Sequence, residues 1–125
     1  MTTVRRLIPI YTTRGDVGGY LHYPYIYNPM GEWIGWVTAD RKVYSVHGHY
    51  VGTLTNEPRI LRKVSEGFDQ PRQAPPPKPP TVRAPATNPL APMMAELTQG
   101  TIDVLEDAPE LMPCLDAGEL REDMD

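Results

Sequence analysis

The feature that most constrains this chain is an internal repeat of sixteen to seventeen residues near its N-terminus. Tyr11, Tyr27 and Tyr44 fall in one column, each preceded by an aliphatic residue, Ile10, Ile26 or Val43. Gly15, Gly31 and Gly48 form a second column, and Gly19, Gly35 and Gly52 a third. A fourth row opens at Ile60-Leu61-Arg62 and then decays, with Ser65 where the turn glycine belongs. Repeats of this length are single supersecondary units that bury their apolar face only by stacking or by closing on themselves.

Each row reads as a β-hairpin. The strand carrying the Ile-Tyr step is followed by polar, turn-forming residues and a glycine, which takes positive φ without steric cost. The returning strand, such as Trp33-Ile34-Gly35-Trp36-Val37, is aromatic and β-branched, and nothing here has a helical period. Glycine inside that strand weakens it, so its recurrence points to a bulge, a bend or the close approach of another backbone. An open fan of strands leaves two bare edges, which closure removes. The segment Val4-Arg5-Arg6-Leu7 stands one period before Tyr20-Leu21-His22-Tyr23 and is expected to supply the missing return strand of the fourth hairpin.

The repeated Tyr-x-x-x-Gly and the following glycine step resemble the bacterial four-fold beta-flower family, over about residues 7–64. That resemblance implies a fold of four pseudo-symmetric hairpins and no activity. The fold expected is therefore all-β: a small closed or nearly closed array of about four pseudo-symmetric β-hairpins. A disordered proline-rich linker and a tail with at most one short helix follow it.

The composition divides the chain in the same way. All ten aromatics lie between Tyr11 and Phe68, and nine of the fifteen prolines lie between Pro71 and Pro92. Large apolar side chains supply most of the burial that offsets chain entropy, so the core belongs to the N-terminal part. The expected division is a repeat-built β domain at 1–68, a proline-rich linker at 69–92 and an acidic tail at 93–125. A core of this size is marginal alone, and self-association into a homo-oligomer is expected. Residues 1–72 carry a net charge of +3 and residues 73–125 a net of −7. The positive excess is too small to argue for nucleic acid.

Pro71 to Pro92 favours polyproline II and reads as a stiff spacer, or less readily as a ligand for a proline-binding module. Beyond it, Met94, Leu97, Thr101 and Leu105 share approximately one helical face, with Pro92 at a suitable start, so a short helix over 93–106 is expected. Met94, Leu97, Ile102 and Leu105 form a candidate docking segment for a protein partner; the same residues read equally as a tail with incidental hydrophobics.

No residue constellation points to catalysis, and neither cofactor nor metal is expected. His47 and His49 would share a face on a strand, with His22 as a third ligand, but Gly48 between them marks a turn. Arg14-Gly15-Asp16 has the letters of an adhesion tripeptide, and Gly15 is explained by the turn column. Tyr11, Tyr27 and Tyr44 with Trp33 and Trp36 read first as core. If the two tryptophans were exposed beside Arg41 and Lys42, with Arg5 and Arg6 adding charge, they would instead form a stacking surface for a glycan or single-stranded nucleic acid. Cys114 is the only cysteine, and neither a signal peptide nor a membrane span is apparent, so a cytoplasmic protein is expected. The function expected is a non-enzymatic interaction or scaffold protein, with a small-ligand binding module as the alternative.

Overall fold

Each of the first three rows of the repeat sets an aliphatic residue beside a tyrosine, and on a strand such neighbours point to opposite faces. The computed structural model describes residues 6–65 and 70–115, and in it the chain is all-β. Its strands are β1 (Ile8–Tyr11), β2 (Val17–His22), β3 (Tyr25–Tyr27), β4 (Trp33–Val37), β5 (Lys42–Ser45), β6 (Tyr50–Leu54), β7 (Ile60–Lys63) and β8 (Thr101–Asp103). They form one curled, wholly antiparallel sheet in which the spatial order follows the chain order. A short helix α1 (Val104–Asp107) and a 3-10 turn (Pro109–Leu111) follow.

The third glycine column has a direct cause. In the β3–β4 pair Ile26 faces Gly35, yet Tyr27 faces Trp33, so Ile34 is an extra, bulged residue. The same slip recurs after Ile10 and after Val43. At the bulge the neighbouring backbone comes close: a Cβ on Gly35 would lie 2.3 Å from the Tyr44 carbonyl oxygen. The equivalent distances are 2.5 Å from Gly19 to the Tyr27 oxygen and 2.6 Å from Gly52 to the Leu61 oxygen. Leu61 thus occupies the tyrosine column of the fourth row.

The turns share one chemistry. Each tip turn opens on a residue whose side-chain oxygen can bond backbone: Thr12, Asn28 or Ser45. Asn28 Oδ1 accepts the N–H groups of Met30 and Glu32, both at 3.0 Å, and Asn28 N donates to the Glu32 carbonyl at 2.8 Å. Gly31 then sits at φ 87°, as Gly15 and Gly48 do at 101° and 89°. These three turns lie along one edge of the sheet, and the joins at 23–24, 38–41 and 55–59 lie along the other.

The fourth row differs from expectation. The partner of β7 is not the N-terminal segment, of which residues 4 and 5 lie outside the described residues. Leu61, Arg62 and Lys63 pair instead with Asp103, Ile102 and Thr101. Gly100, at φ 82°, directly precedes β8 as the tip glycines precede their return strands by two residues or fewer. The sheet therefore draws its last strand from the part expected to be tail, and residues 93–106 do not form one helix. Gly100 interrupts the apolar stripe, Thr101–Asp103 is extended by pairing with β7, and only Val104–Asp107 is helical. Asp103 caps that turn, accepting the Glu106 N–H. Four residues after each tip glycine stands a second glycine, but four residues after Gly100 stands Val104. There the chain leaves the sheet as α1, and β1 and β8 remain the two ends of the strand order.

Side chains bridge those ends. Asp103 Oδ2 accepts both the backbone N–H and the hydroxyl of Thr13, each at 2.7 Å. Arg59 donates to the Thr13 hydroxyl at 2.9 Å and is paired at 2.7 Å with Glu57. Asp103 is fully buried, and that desolvation raises its carboxyl above the ordinary value despite the donors around it.

Both faces of the sheet are covered, which is why every residue of β4 is buried. On one face Ile10, Ile26, Val43, Val51 and Ile60 pack with Val104 and Met112 from the C-terminal segment. On the other, Tyr20, Tyr27, Trp33, Trp36 and Tyr44 pack together, with Val82 and Ala84 of the proline-rich segment against them. Trp36 and Tyr44 stack at 5.3 Å between ring centroids. Among the described residues no helix is long and apolar enough to cross a membrane.

Candidate functional site

The proline-rich segment, expected to be a spacer free of the domain, runs along the tip edge as a strap between β7 and β8. Proline has no N–H to give to a ladder, so such a stretch can donate backbone hydrogen bonds only from its other residues. Two of those amides meet tip glycines: Gln73 N donates to the Gly48 carbonyl and Val82 N to the Gly31 carbonyl, each at 3.0 Å. A third contact is made without a hydrogen bond, where Ala91 Cβ lies 4.0 Å from a Cβ built on Gly15. Val64 N donates to the Gly100 carbonyl at 2.7 Å and closes the loop. Gln73, Val82, Ala91 and Gly100 follow one another at intervals of nine residues. The strap thus meets the tips in reverse chain order and at a constant step.

Tyrosine hydroxyls and one arginine add to the attachment. Tyr11 donates to the Pro89 carbonyl at 2.7 Å, and Asn88 donates to the Tyr20 hydroxyl at 2.8 Å. Arg72 Nε donates to the His47 carbonyl at 2.9 Å. An aromatic floor with hydroxyls at its margin is the surface on which extended proline-rich chain is held in general, because the rings give flat apolar contact and the carbonyls stay free to accept.

The edge also carries bare apolar side chains. Met30, beside Gly31 at a tip, is 80% exposed, and Leu90 and Met93 on the strap are 95% and 99% exposed. No family model, curated protein or solved structure matches this chain.

The residues singled out in the sequence are dispersed by the fold. Trp33 and Trp36 are 5% and 7% exposed, and the Trp33 indole N–H is satisfied by the Gly35 carbonyl at 2.7 Å. Arg41 and Lys42 lie at the opposite edge, where Arg41 donates to the Leu54 carbonyl at 3.2 Å and Lys42 is 3.9 Å from Asp40. Among the described residues the tryptophans lie buried in the sheet's aromatic layer and are not brought together with this basic pair. Ile102 belongs to β8, and Leu105 packs within 3.1 Å of a Cβ built on Gly18. Met94 and Leu97 are half-buried on the strap's final stretch. The docking segment therefore lies on its own domain.

His47 and His49 are exposed at the third tip, whereas His22 lies at the other edge with its ring 3.4 Å from the Arg6 carbonyl. Among the described residues no three His, Cys, Asp or Glu side chains converge on a metal position. Beside that tip, His47, His49, Tyr50, Gln70 and Glu110 line an open cleft of about 400 Å³. The sequence carries no signal for the docking of the strap, because Gln73, Val82 and Ala91 share no residue type and their partners are backbone groups.

Proposed function

We propose that this chain is a non-enzymatic interaction protein of the cytoplasm, binding a protein partner through its tip edge and strap. The supporting scaffold is read as four pseudo-symmetric hairpins of the beta-flower kind, with β7 and β8 as the fourth and the strap as its long tip. The observation that carries the reading is the exposure of Met30, beside the Gly31 tip, and of Leu90 and Met93, which flank the strap residue Ala91 at the Gly15 tip. Isolated exposed apolar residues are ordinary, but long, flexible ones gathered on an edge are a recognised form of protein-binding surface.

Photo-crosslinking in cells tests this. A benzophenone side chain placed at Leu90 or Met93 is expected to give a discrete protein adduct, and one at Asn56, on the opposite edge, is expected to give none. The reading fails if the tip-edge positions give no discrete adduct, or if Asn56 gives the same one.

A further inference from the structure

We propose that the partner at this edge is a second copy of the same chain, and that the two copies exchange straps, residues 73–91 of each lying across the hairpin tips of the other. This rests on the tip edge being a binding surface, and adds the identity of the occupant.

The first argument is complementarity. The tips are already fitted to this particular segment, through Gln73 on Gly48, Val82 on Gly31 and the Pro89 carbonyl on Tyr11. A second copy presents the same two carbonyl acceptors and the same hydroxyl donor in the same order. The strap that fits in one chain fits in the other without any new contact being invented.

The second argument is how sparsely the strap is held. Across the nineteen residues from Gln73 to Ala91 two backbone hydrogen bonds join it to the tip glycines, and side-chain bonds at Asn88 and Pro89 join it to Tyr20 and Tyr11. Its two ends are anchored separately, by the pairing of β7 with β8. The strap can therefore lift as a unit while the sheet stays whole, a local opening at the low end of the stability range. Its prolines keep it extended when free, so little chain entropy is lost on landing again. In dilute solution the tethered strap has the higher effective concentration, and the closed single copy dominates; at high protein concentration exchange competes.

The third argument is what the closed copy leaves in water. Met30, Leu90 and Met93 sit on or beside the strap and are almost fully exposed. A two-fold contact is self-complementary, so an edge that meets its own copy buries these side chains on both chains at once.

The test uses full-length chains with Cys114→Ser to remove the native thiol. One version carries Gly15→Cys and the other, with a distinguishing tag, carries Ala91→Cys. A Cβ at residue 15 lies 4.0 Å from that of Ala91, inside the separation of about 3.5–4.5 Å that a disulfide spans. In a closed copy both positions belong to one chain, so the two single-cysteine versions have no partner for each other. After mixing at high concentration and oxidation, the expected product is the mixed 15–91 disulfide, in at least about ten-fold excess over 15–15 and 91–91 and rising with concentration. A chain carrying both cysteines must form the internal bond at high dilution, which verifies the contact.

An internal bond in that control with only statistical cross-links in the mixture overturns exchange. Should Gly15→Cys fail to fold, sedimentation of the unmodified chain decides: a dimer that grows over about a hundred-fold rise in concentration is expected, and a monomer throughout overturns the proposal. Crosslinks from Leu90 and Met93 to other proteins alone would remove the second copy while leaving the tip-edge reading intact; no adducts at all would remove both.

Discussion

Two alanine substitutions at equivalent tips isolate what the strap contributes. Gly15 and Gly31 both have φ near +90°, so an alanine at either costs about 1 kcal/mol of left-handed strain. Their surroundings differ. A Cβ on Gly15 meets Ala91 at an ordinary 4.0 Å, whereas one on Gly31 would lie 1.9 Å from the Val82 carbonyl oxygen. The second contact is backbone and cannot be relieved by a rotamer, so the strap must come away at Val82. That loses the Val82–Gly31 hydrogen bond, worth about 1 kcal/mol net, and the packing of a half-buried valine, worth about 1 kcal/mol more. Gly31→Ala is therefore expected to free the strap by about 2 kcal/mol beyond Gly15→Ala, a factor of roughly 30 in the open population. Trypsin reads that population at the Arg83–Ala84 bond, which follows Val82 directly. Cleavage there is expected to accelerate roughly 30-fold in Gly31→Ala over Gly15→Ala. Equal cleavage rates in the two variants would refute the reasoning, because strain alone would then account for both.

Other substitutions follow from the core and the seam. Gly35→Ala places its Cβ 2.3 Å from the Tyr44 oxygen and 2.7 Å from Met112 Cε, and is expected to cost about 3 kcal/mol in urea denaturation; Gly100→Ala, with nothing within 4 Å, is expected to cost about 1 kcal/mol. Met112→Ala removes a buried side chain from the sheet's aliphatic face and is expected to cost about 2–4 kcal/mol, a loss that a free tail could not show. Asp103 has its folded pKa raised by burial, so the folded state holds the proton more tightly than the unfolded one. Stability is then expected to fall as pH rises from the ordinary value of 3.8 through the raised one, and Asp103→Asn should flatten that limb of a melting-temperature profile. Glu57 acts in the opposite sense: its hydrogen bonds to Arg59 lower its pKa, so its contribution is present above the ordinary value of 4.5 and lost as pH falls through the lowered one, a loss that Glu57→Gln removes from the same profile.

How much of this was legible in the sequence depended on whether the cause was local. The columns of tyrosine and glycine report hairpin turns and bulges, which are properties of a few adjacent residues, and they were readable at Gly31 and Gly35 alike. The burial of Trp33 and Trp36 was readable as the preferred alternative, since aromatics recurring at hairpin spacing favour a core. The last strand was not, because Thr101–Asp103 is short, is separated from Ile60–Lys63 by thirty-seven residues and has no repeat of its own. Its neighbours Met94, Leu97 and Leu105 suggested a helical face, and only pairing with β7 makes the stretch between them extended. The strap was hidden for a different reason. Its attachment uses the backbone carbonyls of Gly31 and Gly48, and carbonyls leave no mark on composition. Proline content predicted an extended chain and said nothing about where that chain lies.

The docked strap is most directly tested by amide hydrogen exchange at Gln73 and Val82, resolved residue by residue in the full-length chain. Both N–H groups are predicted to be bonded to tip carbonyls and to exchange on the order of 30-fold more slowly than an unstructured amide. Exchange at the unstructured rate for both, with the strands still protected, would contradict the account and return the proline-rich segment to a free linker.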